Sequence, residues 1–154
     1  MFLPSTIESI GFNANIKGTE IPSNVKRPLA CGENCFATFS NGVLTIEGSG
    51  EMTDFYRSMS LSSSEITAPW DSMKSSIKEV RISEGITSIG SYAFYYHSSL
   101  SSINIPSSIT NIGDDAFYGC FELETISVDE NNKRYKDNNG VLFTSDMTSL
   151  IKHP

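Results

Sequence analysis

An apolar pattern that recurs every 23 residues constrains the fold of this chain more than any other feature of its sequence. Residues 79–97 and 102–120 share their apolar columns, and a third, altered unit begins at Leu123. So many matches do not arise by chance, so the chain is predicted to stack one small unit. The matched columns are Ile77, Leu100 and Leu123; Val80, Ile103 and Ile126; Ile82, Ile105 and Val128; Ile86 and Ile109; Ile89 and Ile112; Gly90 and Gly113; Ala93 and Ala116; Phe94 and Phe117.

This period and the L-x-x-I-x-I core of each unit are typical of leucine-rich repeats, whose units have about 20 to 29 residues. The I-x-I triplet predicts a short strand, because alternate side chains point inward. The I-T-x-I-G step predicts a second buried edge and a turn, where Gly90 and Gly113 are expected to take backbone angles that other residues avoid. The Ala-Phe pair then fills the interior, and units must stack because none can bury its apolar face alone. The predicted fold is a β-rich leucine-rich-repeat solenoid of short parallel strands, turns and short helical segments.

A β-hairpin is predicted before the first repeat, in the segment FATFSNGVLTIEG. Asn41-Gly42 is a strong signal for a two-residue hairpin turn, since both positions require positive φ. This turn sets Phe39 opposite Leu44 and Ala37 opposite Ile46 on one apolar face. We expect that face to cover the first repeat as an N-terminal cap.

A second hairpin is predicted at the other end of the repeats. The third unit begins regularly at Leu123 but then changes into the polar run DENNKRYKDNNG. Gly140 opens a predicted strand at residues 141–143, and Leu150-Ile151 offers its antiparallel partner. Two regular repeats and one altered repeat are near the minimum for a stable stack, so we expect both hairpins to be needed for folding.

These patterns divide the chain into three predicted regions. Residues 1–30 contain a linker and a half-repeat, LPSTIESIG, which matches residues 106–113 but whose packing the sequence does not indicate. Residues 31–76 comprise the hairpin cap module, with the Ser-rich, aperiodic loop RSMSLSSSEIT. Residues 77–154 contain the repeats of period 23 and the final hairpin.

Composition disfavours several classes of function. A net charge of -7 and a pI near 4.7 argue against nucleic acid as a partner, because phosphate binding needs a clustered basic face. No window approaches about 18 consecutive apolar residues, so no membrane insertion is expected. The N-terminus lacks the basic stretch and apolar run of a secretion signal, so no signal peptide is expected in this chain.

Three cysteines and two histidines offer little chemistry. Cys31 and Cys35 either form a local disulfide in an oxidising compartment or stay as two thiols, and their spacing differs from that of zinc sites. His97 shares a repeat column with Cys120, which favours a packing role. Phosphate-binding glycine loops and metal-binding histidine pairs do not occur. We therefore expect no catalytic residue, no cofactor and no metal site.

The pattern I-x-I-P-x-S-I-T-x-I-G-x-x-A-F-x-G-C at residues 103–120 resembles the BspA-type leucine-rich repeat of bacterial and protist surface proteins. Residues 31–55 and 69–90 resemble the module that precedes the first repeat in many of them, and residues 138–154 resemble a hairpin that follows a repeat. The resemblance covers roughly residues 31–154. It implies a non-enzymatic, secreted or cell-surface module for adhesion and protein binding.

The outward residues of the I-x-I strands form two parallel columns of polar, mostly small side chains, the kind of surface on which such solenoids bind partners. Exposed tyrosines are secondary candidates, because tyrosine supplies amphipathic contact area. We expect Tyr95 and Tyr118, which share a column, to be structural. The candidate partner-binding residues are Glu79, Arg81, Ser102, Asn104, Thr125 and Ser127, with Tyr92 and Tyr96 as secondary candidates.

Two hypotheses of function remain open. The first is an adhesion module that binds a protein of the host matrix or cell surface, with a glycan as a further candidate ligand. The second is a structural spacer or assembly unit from a longer repeat protein. In the second case, self-association is expected through Leu150-Ile151 or through the N-terminal half-repeat.

Overall fold

The computed structural model describes residues 28–56 and 67–152, which form eleven short strands and one 3₁₀ turn, Asp71–Met73. The predicted half-repeat at residues 3–11, residues 57–66 of the Ser-rich loop and His153 lie outside the described residues. The strands are β1 Leu29–Ala30, β2 Asn34–Ser40, β3 Val43–Ser49, β4 Glu79–Ile82, β5 Ser88–Ile89, β6 Ser102–Ile105, β7 Asn111–Ile112, β8 Thr125–Val128, β9 Tyr135–Asn138, β10 Val141–Thr144 and β11 Leu150–Lys152.

Six of the strands form the main sheet, in the order β1-β2-β3-β4-β6-β8. Strands β1 to β3 are antiparallel, whereas β3, β4, β6 and β8 run parallel. The repeat strands pair one period apart, since Val80 lies opposite Ile103 and Ile103 lies opposite Ile126. Each unit therefore adds one parallel strand, and the predicted solenoid is confirmed.

A shorter sheet forms the second edge of each unit. Strands β5 and β7 pair in parallel and set Ile89 opposite Ile112, as the I-T-x-I-G pattern predicts. After each of these strands the chain turns a corner toward the next unit. In the described repeats these corners, residues 91–96 and 114–119, are turns, and the short helical segment of the described residues is the 3₁₀ turn Asp71–Met73.

An aromatic stack runs through the interior along the repeats. Phe94 and Phe117 stack with their ring centroids 5.9 Å apart, and Trp70 stacks on Phe94 at 5.8 Å. The buried Trp70 also donates a hydrogen bond from Nε1 to the carbonyl of Ala93 at 2.9 Å. Trp70 thus continues the phenylalanine column and closes the N-terminal end of the core.

The glycines that end the second edge have a role other than the predicted one. Neither Gly90 nor Gly113 has a positive φ, so the expectation of unusual backbone angles is wrong. Instead, a Cβ atom at Gly90 would overlap the carbonyl of Thr53, and one at Gly113 would overlap the backbone of Ser91. Close packing between units requires glycine at both positions. The positive φ angles of the corners occur at Tyr92, Tyr96, Asp115 and Gly119.

The N-terminal hairpin has the predicted register around the Asn41-Gly42 turn, with Ala37 opposite Ile46. Both turn residues have positive φ, as this turn requires. The hairpin covers the first repeat edge-on, because β3 pairs in parallel with β4 and sets Ile46 beside Ile82. The cap is therefore a further strand of the main sheet.

The C-terminal end is a three-stranded sheet in the order β11-β10-β9. The predicted pairing of the strand after Gly140 with Leu150-Ile151 is confirmed by β10 and β11. The preceding polar run, interpreted as a break, also contains a strand, β9. Asn139 and Gly140 have positive φ and join β9 to β10, so the sequence holds a second Asn-Gly hairpin signal.

Candidate binding face

The outward side chains of the repeat strands line one groove of about 440 Å³ on the main sheet. Period-two alternation buries the valine and isoleucine residues and exposes the residues between them. We call this feature the strand-face groove. Thr45 of the cap also lines it, a residue that the sequence interpretation missed although β3 pairs Thr45 with Arg81. The six candidate residues of the strand face all line the groove: Glu79, Arg81, Ser102, Asn104, Thr125 and Ser127.

Four hydroxyl groups in the strand-face groove have no hydrogen-bond partner among residues 28–56 and 67–152. They belong to Thr45, Ser102, Thr125 and Ser127. A hydroxyl both donates and accepts hydrogen bonds. These side chains can therefore bind the N–H and C=O groups of an extended ligand without breaking a contact within the fold.

The charged groups of the strand-face groove form an ion pair. Arg81 donates from Nε to Glu79 Oε1 at 2.6 Å, and both side chains are exposed. The hydrogen bond with Glu79, helped by its negative charge, raises the pKa of Arg81. An exposed pair contributes little to stability, so both residues can exchange this contact for one with a partner.

Asn104 lines the groove, but its side chain is already engaged. Its Oδ1 accepts from the backbone N–H of Ile82 at 2.8 Å, and its Nδ2 donates to the carbonyl of Ile82 at 2.9 Å. The backbone register between β4 and β6 ends at Val80 and Ile103. The Asn104 amide therefore replaces the next pair of ladder bonds, and its main role is to hold the two strands together.

A cluster of aromatic side chains covers the corners of the two regular units. Tyr95 and Tyr118 stack at 5.4 Å, and Tyr96 contacts Tyr118 and Phe121. Tyr118, which we expected to be structural because it shares a column with Tyr95, is 54% exposed. Tyr96, which we named as an exposed candidate, is 41% exposed. Tyr92 packs partly buried against the core. Phe121, 75% exposed, follows no repeated column, because Ser98 stands one period before it.

The side chains of His97 and Cys120 are both buried in the core. Burial lowers the pKa of His97, and its Nδ1 lies 3.2 Å from the carbonyl of Tyr95. Burial raises the pKa of Cys120 to about 11, and its thiol donates to the carbonyl of Phe94. A neutral thiol is a poor nucleophile. Both side chains therefore contribute packing.

Neither a metal site nor a membrane span is built from the described part of the chain. Residues 28–56 and 67–152 contain no group of three or more His, Cys, Asp or Glu side chains suited to a metal ion. Over the same ranges, no helix has the length and apolar character needed to cross a bilayer. Cys31 and Cys35 form a disulfide, with their Cα atoms 5.1 Å apart.

Comparison with protein families gives a match over the repeats and the end of the cap module. A family model described as the BspA-type leucine-rich repeat region, with six copies, matches residues 70–146. The matched region is half of the chain of 154 residues. A search of the curated proteins finds no significant match.

Two solved structures are similar to this chain. One is a leucine-rich repeat protein from Eubacterium ventriosum, with 22% identity over 83% of this chain and 50% of that one, at a TM-score of 0.50. The other is the pneumococcal vaccine antigen PcpA, with 16% identity over 82% of this chain and 56% of that one, at a TM-score of 0.37. The chain thus spans about half the length of each. The first likeness supports the fold alone.

Proposed function

The chain belongs to the BspA-type leucine-rich repeat family, and we propose that it is a non-enzymatic adhesion module that binds a protein partner through the strand-face groove. The partner we propose is a protein of the host matrix or of a cell surface. The observation that carries this proposal is the set of four uncommitted hydroxyls, which the parallel strands β3, β6 and β8 hold along one groove.

The chemistry of the groove favours an extended segment of a partner protein. Ser102 and Thr125 lie directly opposite each other on neighbouring strands, so they present hydroxyls at the strand spacing of about 4.8 Å. An extended peptide offers N–H and C=O groups at comparable intervals, and Arg81 and Glu79 supply one charge of each sign. A glycan, which also presents hydroxyl groups, is a second ligand for the same experiment.

An extracellular or cell-surface location fits the disulfide between Cys31 and Cys35. Disulfides persist in oxidising compartments and are rare in the cytosol. We therefore propose secretion or surface display for this protein.

The test is a binding screen of the purified protein against immobilised matrix proteins and a glycan panel. Arg81→Glu and Ser127→Arg change exposed groove positions that hold no backbone bond of the fold. We expect each to weaken binding at least about tenfold, because each removes or blocks a central contact. Asn104 is unsuitable as a test position, since its substitution removes two hydrogen bonds that join β4 to β6 and so changes stability as well as the groove.

Each variant has a matched control outside the groove. Lys133→Glu reverses an exposed positive charge as Arg81→Glu does, and Ser98→Arg adds the same bulk as Ser127→Arg. The controls are expected to bind like the parent protein. Equal losses in variants and controls, or unchanged binding in all four proteins, would show that the partner does not bind in the strand-face groove.

Exposed apolar side chains on the C-terminal hairpin support a second candidate, a structural spacer or assembly unit. Leu150 is 56% exposed and Ile151 is 39% exposed, and contiguous exposed apolar surface marks sites of protein interaction. This function predicts self-association without binding to any member of the screen.

A further inference from the structure

Backbone hydrogen bonds join the corner turns of the two regular units in an alternating pattern. Every second N–H of the first corner donates to a carbonyl of the second corner, at 2.7 to 3.0 Å. The bonds run from Tyr92, Phe94 and Tyr96 to Asp114, Ala116 and Tyr118, respectively.

One period later, the equivalent donors have no acceptor in the part of the chain that the structure describes. They are the N–H groups of Asp115, Phe117 and Gly119, and none of them donates a hydrogen bond within residues 28–56 and 67–152. The other side of the first corner is closed, because Phe55 and Trp70 donate N–H groups to its carbonyls. The stack of corners is therefore capped at its N-terminal side and uncapped at its C-terminal side.

A groove of about 380 Å³ adjoins the three unpaired donors. Its walls are formed by residues between Ile112 and Gly119 and by Ile151 and Lys152 of β11, and we call it the corner groove. It shares no lining residue with the strand-face groove. The neighbouring second edge is already closed, because the Tyr135 hydroxyl accepts from the N–H of Ile112 at 3.0 Å. Beyond this second edge, the corner keeps its three donors unpaired among the described residues.

The chain contains a segment with the sequence of a further half-unit. Residues 4–14, PSTIESIGFNA, match residues 106–116, PSSITNIGDDA, at the Pro, Ser, Ile, Ile, Gly and Ala columns. In the repeat, the accepting carbonyls belong to residues 114, 116 and 118. The same positions in the N-terminal segment are Phe12, Ala14 and Ile16.

We propose that residues 4–16 of a second copy of this chain dock in the corner groove, so that copies associate head to tail. Three carbonyls then meet three unpaired N–H donors, with Gly11 at the close-packed position that Gly113 has in the repeat. Phe117 is only 5% exposed. The docked segment therefore has to supply carbonyls for the three donors, but no aromatic ring to cover Phe117. Asn15 stands at the column of Phe94 and Phe117.

Distance favours a second copy over the same chain. The described chain begins beside β1, which lies at the edge of the main sheet opposite β8. Five strand spacings of about 4.8 Å separate these edges by roughly 24 Å, and the corner lies on another side of the coil. Residues 17–27 reach at most roughly 40 Å when fully extended. Docking within one chain would use more than half of this reach for the span along the sheet alone, whereas docking on a neighbour sets no such demand.

The experiment measures the mass of the full chain by analytical ultracentrifugation up to about 1 mM, where weak interfaces become populated. The parent protein is expected to show a mass that rises with concentration. Ala14→Arg in the segment and Ile151→Glu in the groove are expected to stay monomeric. Their matched controls are Asn13→Arg, at the column of the exposed Asp115, and Leu150→Glu, outside the lining of the corner groove, and both are expected to associate like the parent.

A mixture of the two monomeric variants makes the test specific. Ala14→Arg keeps an intact groove and Ile151→Glu keeps an intact segment, so together they are expected to form a dimer that grows no further. A head-to-tail contact predicts this result, because each partner supplies one half of a heterologous interface. Lys152→Glu provides a second groove variant if Ile151→Glu does not fold.

Two outcomes would overturn the proposal. The first is a parent protein that stays monomeric over the whole range, or variants that do not complement each other. The second is a monomer in which amide exchange at Asp115, Phe117 and Gly119 is slow and becomes fast in Ala14→Arg, since the segment then docks within its own chain. Neither outcome bears on ligand binding in the strand-face groove, because the two grooves have separate linings.

Discussion

Single polar side chains hold this solenoid together where the backbone ladder is interrupted. Asn104 bonds to both backbone groups of Ile82. Asn132, buried in the altered third unit, donates from Nδ2 to the carbonyls of Pro106 and Ile109 and accepts at Oδ1 from two backbone N–H groups. Leaving a buried backbone group unpaired costs more than a typical hydrogen bond contributes. These asparagines are therefore structural even where they lie on a polar surface.

We predict that Asn104→Ala destabilises the protein by about 1 to 3 kcal/mol, because Ile82 loses both hydrogen-bond partners. Asn111→Ala is the control, since Asn111 is exposed on the short second edge, and a surface change there is expected to cost less than about 0.5 kcal/mol. Urea unfolding followed by circular dichroism measures both. Equal stabilities of the two variants would show that the Asn104 amide is dispensable.

His97 is predicted to make stability depend on pH. Burial lowers its pKa in the folded state from the ordinary value of 6.5, against the smaller raising effects of the Tyr95 carbonyl and the Asp71 carboxylate, while Lys74 lowers it further. At pH values well above about 6.5 the ring is neutral in both states, and this group does not change the free energy of unfolding. As pH falls below that value, the unfolded chain binds a proton that the folded chain does not, so stability decreases.

The measurement is the unfolding midpoint of the parent and of His97→Gln between about pH 7.5 and pH 5. The parent is expected to lose stability relative to the variant as pH falls. His153 is present in both proteins, so its titration cancels in the comparison. A constant difference between the two curves would contradict the prediction.

At the scale of elements, the close approach of neighbouring units determines where the repeat requires glycine. Glycine is required at Gly113 because the backbone of Ser91 occupies the space that a side chain would need. At Gly50, in contrast, φ is +81° and nothing lies within 4 Å of an added Cβ. Substitutions at these two glycines therefore measure separately the cost of steric crowding, at Gly113, and the cost of backbone strain, at Gly50.

Gly113→Ala is therefore expected to cost more than Gly50→Ala. Overlap with the neighbouring backbone predicts a loss of about 1 to 3 kcal/mol at residue 113. Positive φ alone predicts a loss of roughly 1 kcal/mol at residue 50. Chemical unfolding of both variants checks the order, and a larger loss at Gly50 would show that the coils can separate slightly at little cost.

The elements with a strong local signal were predictable from the sequence. The 23-residue period predicted the parallel pairing of β4, β6 and β8, and the Asn41-Gly42 turn predicted the register of the cap hairpin. Strand β9 was not predicted, because Tyr135 is its only buried residue and its other side chains are exposed. The polar alternation of a one-sided edge strand resembles a loop in sequence.

The candidate site was predictable in position but not in detail. Period-two alternation identifies which side chains leave the sheet, so the six residues of the strand face meet in one groove. The bond between Asn104 and Ile82 depends on a local end of the backbone register, which no residue pattern indicates. The unpaired donors of the corner groove could not be predicted either, because no residue pattern indicates at which unit the stack of corners ends.

At the scale of the whole molecule, the chain is a short stack with unequal ends. The N-terminal end is closed by a strand, a disulfide loop and Trp70, whereas the C-terminal end is closed along β7 and left unpaired at its corner. Stability of a solenoid is approximately the sum of its units and their interfaces. With so few units, each capping interface is a large share of the total.

A chain that begins at residue 77 is therefore predicted not to unfold cooperatively. It lacks β3, which pairs with β4, and Trp70, which covers Phe94. Removal of residues 1–27 is the matched control and is expected to leave the transition intact, because every strand in the described ranges is kept. Thermal unfolding followed by circular dichroism distinguishes the two. A sharp transition in the chain that begins at residue 77 would mean that the repeats fold without their cap.

Trp70 is the one tryptophan of the chain, and it lies between the cap and the first phenylalanine of the aromatic stack. Its fluorescence therefore reports on a single junction. Separation of the cap from the repeats would transfer the indole into water and shift its emission to longer wavelength, while the parallel strands kept their circular dichroism. The protein thus carries an intrinsic optical probe for the order in which its two ends come apart.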